Sequence, residues 1–94
     1  MTADLLLAVV VEMHDDAVAD GHRYEDAVLA LLARHGGRLE RRLRTPGGAT
    51  EVQIIRFTGR AGLDSFMSDP GRLDLRAGIG AHAPVARVLE VTDV

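Results

Sequence analysis

Cysteine, lysine, asparagine and tryptophan are all missing from this sequence. Without cysteine there can be no disulfide, thiolate metal site or cysteine nucleophile. Without lysine, all 11 basic residues are arginines, set against 14 acidic residues for a formal net charge of −3. That balance argues against a nucleic-acid partner, because such binders are usually basic. Aromatic residues are scarce: Tyr24, Phe57 and Phe66 make up the whole 3%. Long apolar runs are missing too. The longest, residues 5–11, falls far short of the about 20 residues that a membrane span needs. Residues 1–4 lack the basic charge that opens a signal peptide, so a cytoplasmic location and no membrane partner are expected. What is present is a globular composition, 47% hydrophobic over 94 residues. That length supports one core and not two, so a single domain spanning residues 1–94 is expected.

The order of elements follows from periodicity. Residues 5–11, β-branched towards their end, read as a strand buried on both faces. Residues 14–21 are polar and read as a connection or a ragged helix start. From Tyr24 the spacing becomes helical, with Tyr24, Ala27, Val28, Leu31, Leu32 and His35 on one face; Asp20 or His22 could cap this helix and Gly36-Gly37 end it. A charged strand at 38–44, the turn Thr45-Pro46-Gly47-Gly48 and a strand at 51–58 make a hairpin with its charged member at the sheet edge. A second helical region starts near Arg60. It breaks at Asp69-Pro70, where Asp69 suits an N-cap and Pro70 the first helical position, and it continues to Gly80. Residues 85–91 form the last strand. The order β-α-β-β-α-β is the split βαβ arrangement of a ferredoxin-like α+β fold: a four-stranded antiparallel sheet with its helices on one face.

Both faces of that sheet are apolar. Leu5, Leu7, Val9 and Val11 oppose Leu6, Ala8 and Val10; Val52 and Ile54 oppose Ile55 and Phe57; Val85, Leu89 and Val91 oppose Ala86 and Val88. Two helices cover one face only. Exposing an aliphatic side chain that could be buried costs about 1.5–3 kcal/mol. A homodimer closed through the open sheet face is therefore expected.

Three segments carry a resemblance: residues 29–39 (LALLARHGGRL), 51–57 (EVQIIRF) and 59–70 (GRAGLDSFMSDP). A helix ending in Gly-Gly, a strand ending in an aromatic and a helix broken at Asp-Pro resemble the dimeric α+β barrel superfamily. That superfamily includes the antibiotic-biosynthesis-monooxygenase-like proteins and small DUF1330-like proteins. The resemblance implies a homodimeric barrel and, among other roles, a cofactor-independent monooxygenase or cyclase acting on an apolar or aromatic metabolite. Quinol-oxidising and haem-degrading members use Trp or Asn, and this chain has neither.

Each candidate site residue has two readings. His35, on the apolar helix face, could serve as a base or be placed there by the helix dipole. Tyr24 could offer a site hydroxyl or simply anchor the core. Arg56 and Arg87, charges within apolar strands, could hold an anionic oxygen or form interface ion pairs with Glu12 and Glu90. Tyr24, His35 and Arg56 are the expected catalytic groups; Phe57, Phe66, Met67 and the rim residue His82 are the expected ligand contacts. His14, Asp15, Asp16 and His22 match no metal-binding spacing, so neither metal nor cofactor is expected. The arginines of 38–44 lack the interleaved aromatics of a nucleic-acid surface. Two functions follow: a small enzyme working in the space between sheet and helices, or a non-enzymatic ligand-binding, stress-type or assembly dimer. A pocket of at least about 300 Å³ with convergent titratable groups favours the first.

Overall fold

The apolar run that opens the chain becomes an inner strand. In a computed structural model describing residues 4–94, the elements in chain order are β1 (Leu5–Glu12), α1 (Val18–Leu29), β2 (Gly37–Arg44), β3 (Thr50–Phe57), α2 (Arg60–Met67), α3 (Pro70–Ile79) and β4 (Val85–Val91). Residues 1–3, which enter the expectation about a leader, lie outside the described residues. The strands form one sheet in the order β2-β3-β1-β4, with every neighbouring pair antiparallel. This is the ferredoxin-like α+β arrangement, with the two most apolar strands at its centre. Among the described residues no helix is long and apolar enough to cross a membrane.

Cross-strand register sorts the side chains. Leu7 pairs with Ile55, Val9 with Gln53 and Val11 with Glu51, and these face the helices; Leu6–Arg56, Ala8–Ile54 and Val10–Val52 face the opposite way. The core gathers on the helix side: Leu7, Val9, Val11, Ile55 and Phe57 pack with Tyr24, Val28, Leu32 and Phe66. The other face stays apolar and uncovered, with half-buried Leu6, Val10, Val52 and Ile54 beside exposed Leu43 and Leu89. β2 slips in register between Leu39 and Arg41, leaving Glu40 as a bulge. Beyond it, Arg42 and Arg44 stand opposite Gln53 and Glu51, on the helix side.

Two expectations need correction. The first helix starts at Val18, six residues before Tyr24, and stops at Leu29; a 3-10 turn, Leu32–His35, carries the chain on to Gly36. Neither Asp20 nor His22 caps it. Ala17 holds the N-cap position without a side-chain bond, Asp20 pairs with Arg23, and the His22 ring Nε2 lies 2.7 Å from the Gly48 carbonyl oxygen. The early turns present small residues to the core, because Met13 and Pro84 press against Gly21, where a Cβ would come within 2.6 Å of Met13 Sδ. Gly36 adopts the left-handed conformation (φ 68°) that closes the 3-10 turn.

The second correction concerns ion pairs. Arg56 bonds Glu40 on β2 (Nε–Oε2 2.9 Å), not Glu12 or Glu90. Glu90 pairs with Arg60, and Glu12 accepts from Thr50 Oγ1. Asp69 and Pro70 serve as anticipated: Asp69 caps α3 by accepting from the Gly71 N–H, and Pro70 opens the helix.

Candidate functional site

The helices lie over β1 and β3 and leave β4 partly bare, so that Val88, on the helix side, remains 47% exposed. Under this overhang is a cleft of about 270 Å³. Leu7, Val9, Ile55 and Phe57 form its sheet wall; Tyr24, Val28, Leu63, Phe66 and Met67 form its helix wall; Ala86 and Val88 lie at the β4 side. Its volume falls just short of the about 300 Å³ expected of an enzyme's pocket, so its size does not favour the enzyme reading. It therefore suits a compact ligand.

Polar groups enter this apolar space from three elements: Glu25 from α1, Gln53 from β3, and Arg72 and Arg76 from α3. Glu25 and Gln53 are both buried. The Gln53 amide divides its two N–H groups between carboxylates, donating to Glu25 Oε1 at 2.8 Å and to Glu51 Oε2 at 2.6 Å. Glu51, fully buried, also accepts from Arg44 Nε at 2.7 Å and has Arg42 Nε 3.0 Å from Oε2. Arg42 reaches on to Asp26 at 2.6 Å.

These surroundings drive the two carboxylates apart. Burial raises the pKa of Glu51, and hydrogen bonds from Arg42, Gln53 and Arg44 more than reverse that, so it lies below its ordinary value. Burial also raises Glu25, whose only strong relief is the Gln53 bond; the Glu51 charge raises it further, Arg42 and Arg72 act weakly the other way, and it ends above its ordinary value. Glu51 is thus a fixed anion, and Glu25 is the group equipped to exchange a proton. Replacing Gln53 with leucine is expected to raise the Glu25 titration midpoint further and to cost about 1–3 kcal/mol through the stranded acceptors. Carbon NMR titration and urea unfolding measure the two effects; an unmoved midpoint would contradict this assignment.

Arg72 is the third notable group. Its Nη1 donates to the Met67 carbonyl at 3.2 Å, its guanidinium carbon lies 5.6 Å from the centre of the Phe66 ring, and its Nε is sealed from solvent without an acceptor. A sealed donor without a partner costs about 1–3 kcal/mol.

The residues singled out from sequence fall in different places. Tyr24, Phe57, Phe66 and Met67 meet in the cleft. His82 lies in a separate open groove between α1 and α3, which Tyr24 backs from the other side. Its ring stands edge-on to His14, with ring centres 5.0 Å apart. Arg56 is on the opposite sheet face and does not reach the cleft. His35 is tied into the fold, with Nδ1 2.7 Å from Ser65 Oγ and Nε2 2.6 Å from Asp69 Oδ2. That trio contains the groups of a hydrolytic triad. Ser65, however, is built into α2 and its hydroxyl donates back to the Gly62 carbonyl, so the trio reads as a clasp joining the 3-10 turn to the α2–α3 junction. Among the described residues no group of three or more His, Asp or Glu side chains converges on a metal position.

Glu25, Gln53 and Arg72 went unmarked in the sequence. A pattern for two of them was available: Glu25 lies three residues before Val28 and seven before Leu32, on the buried helix stripe, and Gln53 shares the alternation of Ile55 and Phe57.

Fold and cleft together define a small ferredoxin-like α+β protein with a ligand-sized, mainly apolar space between sheet and helices. No protein-family model matches this sequence, and no curated protein matches it by sequence. Solved structures do match. Rv0793 from Mycobacterium tuberculosis is 20% identical, with 98% of each chain covered and a TM-score of 0.70. A candidate antibiotic biosynthesis monooxygenase from Bacteroides thetaiotaomicron is 7% identical, covering 97% of this chain and 90% of that one, with a TM-score of 0.78. SnoaB, a cofactor-independent oxygenase from Streptomyces nogalater, is 18% identical, covering 97% and 95%, with a TM-score of 0.71. At such identities the likeness establishes the ferredoxin-like fold alone.

Proposed function

We propose that the cleft is the active site of a cofactor-independent oxygenase acting on a compact, apolar, conjugated carbon acid, with Glu25 as the base. The observation that carries this reading is a buried carboxylate, raised in pKa, at the polar end of an otherwise apolar cleft. Convergent titratable groups favour this reading over ligand binding alone. SnoaB, similar in fold, is named as an oxygenase of this kind.

The chemistry sets the substrate. In such an oxygenase the electrons that reduce oxygen come from the substrate, which must therefore form a carbanion. Glu25 takes a proton from an activated methylene. The carbanion passes one electron to O2, and the two radicals join as a peroxide. Loss of water from the peroxide leaves a ketone, so CH2 and O2 give C=O and H2O. Anthrone is a suitable probe. The expected result is one O2 consumed per anthrone, with anthraquinone appearing by absorbance; uptake no faster than in buffer alone counts against the reading.

We infer further that a second copy of this chain covers the open sheet face, and that the whole chain works as one domain in the cytoplasm. The uncovered row of Leu6, Val10, Val52, Ile54 and Leu89 supports the dimer. Light scattering is expected to return twice the chain mass. Ile54→Glu, which puts a charge in the middle of that face, is expected to return the single-chain mass with the sheet intact by circular dichroism. A wild-type monomer would rule the dimer out.

A further inference from the structure

Sulfur is scarce in this chain: there is no cysteine, and the methionines are Met1, Met13 and Met67. Met1 lies outside the described residues. The other two stand in opposite settings. Met13 is buried, at 6% exposure, with its Sδ pressed against Gly21. Met67 closes α2 and is 42% exposed, yet it lines the cleft. Among the described residues it is the one sulfur on that wall. With exposed Val85, Ala86 and Val88 of β4, it marks the side on which the cleft opens to solvent. The Met67 carbonyl accepts from Arg72 Nη1 at 3.2 Å, which fixes the backbone from which the thioether projects. A thioether in this position has two properties at once. Its unbranched, polarisable chain packs against apolar ligands of varied shape. Its sulfur also reacts with peroxides, and the sulfoxide that results is polar where the thioether was apolar. The chain has no thiol to intercept the oxidant.

We propose that Met67 is an oxidative modification site that sets the affinity of the cleft for apolar ligands: hydrogen peroxide converts it to the sulfoxide ahead of Met13, and the oxidised side chain weakens binding. In that step a lone pair on Sδ attacks one peroxide oxygen. The S–O bond forms as the O–O bond breaks; sulfur gives up two electrons, the peroxide takes them, and the second oxygen leaves with both hydrogens as water. Reduction returns the thioether, so the change is reversible. The proposal rests on the cleft holding an apolar ligand, whichever reaction follows. Under the oxygenase reading a substrate peroxide forms within the same walls, so peroxide that escapes turn-over throttles the site that made it.

The probe is camphor, a compact ketone with neither charge nor a flat ring. Isotope-labelled methionine methyl groups report on each thioether by NMR, and the Met67 signal follows camphor binding on the full chain. After graded exposure to hydrogen peroxide, peptide mass mapping is expected to place the added oxygen on Met67 while Met13 is still reduced. The camphor dissociation constant is expected to rise about fourfold, the worth of roughly one buried methylene. It is expected to fall back when methionine sulfoxide reductases for both epimers are added. Met67→Leu, compared with itself before and after peroxide, is expected to show no change. Met67→Gln, a polar stand-in for the sulfoxide, is expected to bind camphor more weakly than Met67→Leu without any oxidant. Oxidation of Met13 before or together with Met67, or an unchanged dissociation constant once Met67 is the sulfoxide, overturns the proposal. So does failure of the unoxidised protein to bind camphor, or the same peroxide-induced loss in Met67→Leu. The oxygenase reading fails separately: anthrone-dependent oxygen uptake can be absent while camphor binding still depends on the oxidation state of Met67, and uptake can persist when binding ignores it.

Discussion

Glu25→Gln is expected to lower the rate of anthrone-dependent oxygen uptake by about 10²–10⁴-fold, the usual worth of a positioned general base, and at the same time to make the protein harder to melt. The two effects share one cause. Burial raises the Glu25 pKa because the ionised carboxylate is poorly solvated, and a single amide donor from Gln53 does not offset this. Glutamine keeps an oxygen to accept that bond and removes the charge. The sign of the pH dependence follows. An acid whose folded pKa is raised costs stability while ionised, so the cost is present above the folded value and disappears as pH falls through it. Wild type and variant should therefore melt together in acid and separate towards pH 8, where the variant leads. Each 1 kcal/mol of gain would raise the melting temperature by roughly 4–8 °C for a chain of this size. Calorimetric melts across pH, paired with oxygen-electrode rates, make the check. Full activity in the variant, or a lower melting temperature at pH 8, would remove Glu25 from the role of base.

Glu51→Leu should produce the opposite kind of damage. The carboxylate is fully buried and collects Gln53, Arg42 and Arg44. Taking it away leaves Arg42, whose Nη2 already lacks a partner, beside an apolar side chain. Breaking a buried ion pair from one side costs about 3–5 kcal/mol, and the partial exposure of both arginines places this case at the lower end. That is a large share of the about 5–15 kcal/mol that holds a domain together. Because the Glu51 pKa is lowered in the fold, its contribution is present above the ordinary glutamate value and is lost as pH falls through the lowered one. Urea unfolding at pH 7 should show the full deficit, and the deficit should shrink in acid. Adding Arg42→Leu should restore part of it, since the stranded cation goes too. A loss below about 1 kcal/mol at pH 7 would mean that the network is ornamental.

Most of the fold was legible because its signals are local. The seven apolar residues of β1, the Asp69-Pro70 break with its cap, and the alternation in β4 each declare an element within a few positions. The start of α1 was not, because its buried stripe there runs through Ala17 and Gly21, residues too small to register as hydrophobic periodicity. The aromatic and thioether contacts of the cleft were recoverable, since a core-facing Phe57 or Phe66 tends to line whatever space the core leaves. Its charges were not. Glu25 reads as an ordinary acid in the first turns of a helix, and Arg42 as one more cation in an edge strand. Their meaning depends on partners 28 and 9 positions away, at Gln53 and Glu51.

The bulge at Glu40 carries a consequence for how this sequence can change. Strict alternation from Leu39 would send Arg42 and Arg44 to the open sheet face and bring Arg41 and Leu43 to the helix side; one additional residue reverses the assignment. The strand thus behaves like a reading frame in which odd and even positions have different meanings. A single-residue insertion beyond the bulge would strand Glu51 and Gln53 without their cations and turn Arg42 and Arg44 to the apolar surface, although no residue that makes those contacts had been altered, whereas deleting Glu40 would only remove the bulge and keep both arginines opposite Gln53 and Glu51. Lineages derived from this chain are therefore free to substitute within β2 and to lose the bulge itself, but a change of one residue beyond it turns both arginines over.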